Sequence, residues 1–282
     1  MRESLRDINL QRIGQTDFVL AGKDRLFRAE LAHDISDAQI SAAPVLFLPG
    51  TASNPDASAR ANHVQILGVD ERFWSMAPSP SNLKLDGVMV NTAVAEQLRI
   101  KAGDSIVLRI HKPSLVSGEA PISPRDETSI SLRVPIAGIV RADRFGGFSL
   151  QASQTAPLNV YVPLATLQAA LQEPGKANLL LVHAPSANGS ALTARLQNTW
   201  RLADAALSTR DVPDGTELHT DRVFIDPPVV ETVLKTVTNA HLVSTYFVNE
   251  LRVGTNATPY SMVSGIGDPI VPREMFDNEI VI

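Results

Sequence analysis

The stretch GVMVNTAVAEQLRIKAGDSIVLRIHKP, Gly87–Pro113, decides how the whole chain is read. Val88, Met89 and Val90 form a short apolar run that predicts a strand. Thr92 is placed to cap a helix whose apolar positions, Val94 and Leu98, lie four residues apart. Ala102-Gly103-Asp104 should stop that helix and turn the chain, with Gly103 at positive φ, where it alone pays no steric cost. Ser105–His111 then alternates, Ile106, Leu108 and Ile110 against Ser105, Arg109 and His111, which predicts a second strand. Every level of this unit agrees, and no side chain in it looks reactive. It reads as scaffold, with Gly103 and Asp104 as a structural turn.

Working outward, the same short-strand pattern recurs on both sides. Upstream, Asp17–Leu20, Ala43–Leu48 (ending at the Pro49-Gly50 breaker) and His63–Val69 read as strands. Arg25–His33 reads as a short helix, Thr51–Asn62 as a small, polar loop, and Asp70–Trp74 as a turn anchored by Phe73 and Trp74. The alternation Pro78–Ser81 reads as a linker into the central unit. Downstream, Pro113–Glu127 is an excursion rich in Ser, Pro and Gly, and Ile130–Val140 is a strand pair or one long bent strand, with Pro135 at an edge or bulge. Asn159–Val162 and Asn178–His183 are strands flanking a helix over Pro163–Leu171 that opens on proline. Ser190–Leu207 predicts the longest helix, Glu217–Ile225 a strand, Pro227–Val237 a helix, and Leu242–Val253 an alternating strand. Strands mixed irregularly with few helices, without a βαβ repeat, predict an α+β fold.

At 282 residues the chain has room for roughly two domains of about 150 residues. A net charge of -5 and no run of Lys and Arg argue against nucleic acid, whose phosphates want a basic surface. The absence of cysteine excludes disulfides and thiolate metal sites. No apolar run reaches the roughly 20 residues of a membrane span. Met1–Leu10 lacks the apolar region of a signal peptide. Asn278–Ile282, NEIVI, ends on what reads as a strand in mid-course, so the expectation is a piece truncated from a larger membrane protein.

The search for chemistry is nearly empty. Histidines at 33, 63, 111, 183, 219 and 241 never fall at HxH or HExxH spacing, and His111 and His183 read as polar strand ends. There is no GxSxG for a hydrolase and no Gly-rich Lys-Ser/Thr loop for ATP. No catalytic, cofactor or metal residues are assigned. One loop stands out, Arg141–Gln154, where Phe145 and Phe148 flank Gly146-Gly147, a pair expected to leave the backbone free to flex. Two readings stay open for it. Both rings plug a core, or one of them, Phe148 before Phe145, is exposed and binds a partner or cargo.

Several segments, in order, resemble the extracytoplasmic (periplasmic core) domain of MacB/FtsX-type ABC transporter permeases. They are LFRAELAH (26–33), GVDERFW (68–74), GVMVNTAVAEQLRIKAGDSIVLR (87–109), VPIAGIVRADRFGGFSLQ (134–151), VYVPLATLQAAL (160–171) and NLLLVH (178–183). TPYSMV (258–263) resembles a stretch of larger permeases of this kind. The resemblance implies a two-lobed domain. Residues 15–75 and 177–240 would form a discontinuous porter-like lobe, 85–172 an inserted Sabre-like lobe, and 241–282 a C-terminal extension. It further implies a non-catalytic module on the periplasmic or extracellular side of the cytoplasmic membrane. That module would relay motion from a cytoplasmic ABC ATPase, through transmembrane helices absent from this chain, to an extracytoplasmic partner or lipoprotein, as a possible dimer. Two other readings compete. A freestanding extracytoplasmic ligand-binding protein would want an aromatic-lined cleft, against an aromatic content of 5%. An enzyme would have to gather its residues from distant loops.

Overall fold

A computed structural model of the protein describes residues 2–79, 86–113, 129–213, 215–222 and 224–266. Half of the expected linker at Pro78–Ser81 and most of the excursion at Pro113–Glu127 lie outside the described residues, as does Asn278–Ile282. In chain order the elements are α1 (Arg2–Ile13), β1 (Phe18–Ala21), β2 (Phe27–Arg28), α2 (Leu31–Ile35), β3 (Ser41–Ser53), β4 (Arg60–Val69), α3 (Glu71–Ser75), β5 (Val88–Asn91) and α4 (Thr92–Leu98). Then follow β6 (Ser105–His111), β7 (Ser129–Val140), β8 (Asn159–Pro163), α5 (Leu164–Leu171), β9 (Lys176–Ala177), β10 (Leu179–His183) and α6 (Gly189–Thr199). The last are β11 (Leu207–Val212), β12 (Gly215–Thr220), α7 (Pro227–Thr236), β13 (Val243–Val253) and β14 (Asn256–Ile266).

Eight strands make one mixed sheet in the order β1-β10-β3-β4-β8-β5-β7-β6, and β6 pairs back onto β3. The pairing runs from Gly50↔Ile110 to Ser53↔Val107 and closes six strands into a ring. β4 with β8 and β5 with β7 are parallel; the other ring pairs are antiparallel. Closure leaves the ring strands no free edge along these pairings, which removes a site of aggregation. β10 and β1 extend from the first half of β3. Proline decides where the two neighbours of β3 part. Pro49 falls between the last residue paired with β10, Val45, and the first paired with β6, Gly50, where no ladder partner wants its missing N–H. Pro135 likewise sits one residue before the β5 pairing begins at Ile136.

Alternation along the strands sorts the apolar residues into two cores. One takes Leu46, Leu48, Val64, Ile66, Val90, Ile106, Leu108, Ile136, Val160 and Val162, with Val94 and Leu98 of α4 and Leu167 of α5. The other takes residues from the opposite faces, Val45, Leu67, Val69, Val140 and Tyr161, with Phe73, Trp74, Phe145 and Phe148. The chain divides into two compact units, Met1–Val223 and Phe224–Ile282. In the second, α7 begins on Pro227-Pro228 and β13 pairs with β14 from Val243↔Ile266 to Val253↔Asn256.

The strands of the segments expected to be porter-like (15–75 and 177–240) and Sabre-like (85–172) pair with one another in one sheet, β4 with β8 and β3 with β6. The compact unit that holds them runs to Val223, and α7 falls in the second unit with the hairpin. Several local expectations need correcting. Arg25–His33 is not one helix: its apolar spacing is carried by β2 and then by α2, which starts only at Leu31. The α6 helix stops at Thr199 rather than Leu207, and β11 follows. The central helix is capped by Asn91, whose Oδ1 accepts from Val94 N at 3.1 Å, and not by Thr92. It stops at Leu98, where Arg99 takes the left-handed conformation (φ 55°), ahead of the Gly103 turn.

Candidate functional site

The Gly-Phe loop after β7 was the site singled out by sequence, and it is a pinned plug. Phe145 and Phe148 are each 1% exposed. Phe73 is the hub of the ring cluster around them, at 5.0 Å from Trp74, 4.9 Å from Phe145, 5.2 Å from Phe148 and 5.8 Å from Tyr161. Most of these contacts are edge-on or tilted, the geometry aromatic quadrupoles favour. The anchor reading required an exposed ring, and burial corrects it: neither Phe145 nor Phe148 offers a face to a partner.

A buried polar network holds the loop from beneath. Asn91 Nδ2 donates to the carbonyls of Gly146 (3.0 Å) and Pro157 (2.7 Å). Asn159 Nδ2 donates to the carbonyls of Gly146 (3.2 Å) and Phe148 (2.8 Å) and lies 3.0 Å from the Tyr161 hydroxyl. That hydroxyl donates to the Phe145 carbonyl at 3.0 Å. Burial pushes the Tyr161 phenol up from its ordinary pKa, so it stays protonated and works as a donor. The expected hinge is corrected too. Gly146 donates its amide to Arg141 O at 2.9 Å, and a Cβ there would run into the Val140 and Arg141 carbonyl oxygens. Glycine is needed for close approach, while the left-handed residue of the loop is Phe145 (φ 69°).

The turn at Gly103 takes φ 93°. Its amide donates to Ile136 O, Ile136 N donates to Asp104 O (both 2.8 Å), and Asp104 Oδ2 accepts from Lys101 N at 2.9 Å. Gly103 and Asp104 thus tie the start of β6 to β7.

A second buried polar group was not legible in the sequence. The Asp204 side chain is fully buried and receives Arg28 as a fork: Nε to Oδ1 at 3.0 Å and Nη2 to Oδ2 at 2.8 Å. The backbone amides of Arg28 (3.0 Å) and Arg201 (2.9 Å) complete its partners, and Arg28 Nη1 reaches Asp34 Oδ2 at 3.1 Å. The hydrogen bond to Asp204 raises the Arg28 pKa, so the guanidinium stays charged. This is a latch between β2, α2 and the turn at 202–205. His183 ends β10 half-buried, its Nδ1 at 2.7 Å from Gln15 O and 3.0 Å from Asp17 Oδ2, and His111 ends β6 exposed.

Among the described residues no group of three or more His, Asp or Glu side chains is placed to hold a metal ion. No described helix is long and apolar enough to cross a membrane. A crevice of about 150 Å³ is lined by Ile8, Arg12, Ala142, Gly147 and Pro157, below the roughly 300 Å³ at which small-molecule pockets begin.

No family profile matches the chain, and no curated protein matches it. Among solved structures, it is similar to the periplasmic region of MacB from Actinobacillus actinomycetemcomitans, with a TM-score of 0.43 and 11% identity. That match covers 83% of this chain and 100% of the other. It is also similar to the extracellular domain of the noncanonic ABC-type transporter YknZ from Gram-positive bacteria, with a TM-score of 0.35 and 11% identity. There the coverage is 67% of this chain and 91% of the other.

Proposed function

We propose that the chain is a non-catalytic extracytoplasmic domain of an ABC transporter permease. It would relay ATP-driven motion, from a separate ATPase through membrane helices outside this chain, to a substrate or partner beyond the membrane. The observation that carries the reading is how the segments quoted for the resemblance are arranged. From 68 to 183 they fall, in sequence order, on β4-α3, β5-α4-β6, β7 with its Gly-Phe loop, β8-α5 and β10, all of one sheet. The polar side chains buried among them act as pins on backbone carbonyls. A body tied at many points transmits displacement. Within that reading, residues 85–172 would be the Sabre-like and 15–75 with 177–240 the porter-like segments.

The test is to express the natural gene product with its native flanks and fractionate the cells. Recovery from membranes together with an ABC ATPase is the expected result. In reconstituted vesicles, spin labels placed on the cysteine-free chain should then report an ATP-dependent distance change. A gene product found only in the aqueous fraction and bound to no ATPase sinks the proposal.

A further inference from the structure

The outer face of the ring is covered at one end and bare at the other. Val45, Leu67, Val69 and Tyr161 face outward under the aromatic rings of α3 and the Gly-Phe loop. Toward the other end the outward positions are polar: Thr51 on β3, Arg60 and His63 on β4, Arg109 on β6, Ser131 and Arg133 on β7. The register sets Thr51 opposite Arg109, Arg109 opposite Ser131, and Arg60 level with Arg133 through Ser53 and Val107. All three arginines are exposed. His63 takes φ 55° at a bulge in β4, which turns an extra side chain out.

Charge sets this end apart. The ring strands, β3 to β8, hold no Asp, Glu or Lys, in a chain whose net charge is -5. Arginines elsewhere are paired, Arg28 with Asp204, Arg195 with Asp37 and Arg210 with Glu217. Among the described residues Arg60, Arg109 and Arg133 have no such partner. Like charges held near one another on a sheet repel, and an anionic partner relieves that. Which anion follows from shape. Strands about 4.8 Å apart put Arg60 and Arg133 roughly 14 Å apart across three spacings, with Arg109 on an intervening strand. An extended chain carries its same-side residues about 6.8 Å apart, so carboxylates at three alternate positions span the same roughly 14 Å. The planar fork of arginine takes a carboxylate by two parallel hydrogen bonds. A lipid surface, by contrast, is held through inserted apolar side chains as well as charge, and no large exposed apolar residue lies on this end of the face.

We infer that this face docks an acidic, extended segment of a partner protein, its alternate carboxylates received by Arg60, Arg109 and Arg133. The segment crosses the strands and binds through side chains, because the main-chain groups between β4, β3, β6 and β7 are engaged in the sheet. The inference does not rest on the transporter reading. It concerns one face of the ring and holds or fails in water without a membrane or ATPase.

The experiment is fluorescence anisotropy of a labelled peptide, Glu-Ser-Glu-Ser-Glu-Ser-Glu, titrated with the full 282-residue chain. A dissociation constant on the order of 100 μM is expected at about 50 mM salt, weakening several-fold at about 300 mM as the charges are screened. Arg109→Glu should weaken binding by at least about tenfold, and Arg133→Glu serves as the second variant. Lys235→Glu, the same change in net charge placed on α7, should leave binding unchanged. The circular dichroism spectrum of each variant checks its fold. No binding at about 1 mM protein overturns the inference. An equal loss in Lys235→Glu overturns it too, because net charge alone would then steer the peptide. A chain that binds vesicles containing about one-quarter phosphatidylglycerol but not the peptide overturns it in favour of a lipid surface.

Discussion

Five aromatic rings of the sheet unit and three of the hairpin unit show what layering does to one residue type. Phe73, Trp74, Phe145, Phe148 and Tyr161 are at most 1% exposed, while Tyr246, Phe247 and Tyr260 are 54% to 73% exposed. The difference does not lie in a lack of apolar residues, since β13 carries Phe247 on one face and Tyr246 and Val248 on the other, yet both rings are exposed. It lies in what is stacked on the strands. Ring strands carry helices and the Gly-Phe loop over their faces, so alternate residues feed two cores. The hairpin is a ribbon of two strands, and two strands make no core.

The largest test of that contrast is Phe148→Ala. A ring buried among Phe73 and Phe145 should cost about 3 to 5 kcal/mol when removed, because the pinned loop cannot collapse into the space. Urea unfolding followed by tryptophan fluorescence reads it. A loss below about 1 kcal/mol would mean that the loop is loosely held despite its burial.

Next comes Asp204→Ala, which leaves the Arg28 guanidinium without its fork. Arg28 keeps Asp34 and is 13% exposed at its side chain, so the cost should be about 2 to 3 kcal/mol rather than that of a sealed pair. The double variant with Arg28→Met should recover part of the loss. A double variant as unstable as the two singles summed would show that the pair is not coupled.

How much of this was legible in the sequence follows from range. Contacts within about a dozen residues left a signature: the β5-α4-β6 unit, the proline-opened α7, and positive φ at Gly103. The burial of Phe73 and Trp74 was legible from residue type alone, though not the rings they meet. What failed depends on long range. Asp204 lies 176 residues from Arg28 and looked like any solvated acid in Arg201-Leu202-Ala203-Asp204. The docking role of Phe148 was an inference from Gly-Gly flexibility. It lost to Asn91 and Asn159, 55 and 13 residues from Gly146, whose amides reach its carbonyl. Pro49 was read as a strand breaker because a single strand cannot reveal where its two neighbours on one edge part.

A smaller effect is expected at Gly103→Val. A Cβ at Gly103 meets nothing within 4 Å, so the penalty comes from the backbone alone, φ 93° being unfavourable for a β-branched residue. The loss should be about 1 to 2 kcal/mol, and Gly103→Asn, which tolerates left-handed backbone better, should lose less. Equal melting midpoints for valine and glycine would show that the turn relaxes to negative φ.

The smallest effect is the sharpest test of the contrast. Phe247→Ala removes a ring as large as that of Phe148, yet the hairpin holds it 56% in water. In dilute protein the variant should unfold within about 0.5 kcal/mol of the native chain, since an exposed side chain has little transfer energy to lose. Concentration then separates two causes of that silence. If a second copy covers the ring, stability of the native hairpin rises with protein concentration by mass action, and the variant loses that dependence. Hydrogen exchange of the β13 and β14 amides, read at about 1 μM and about 100 μM, distinguishes the cases. Protection that climbs with concentration in the native chain and stays flat in Phe247→Ala means the ring is buried after all, by another molecule. Protection flat in both leaves the ring exposed for some other reason, and the rule that two strands need a third layer would then fail for this hairpin.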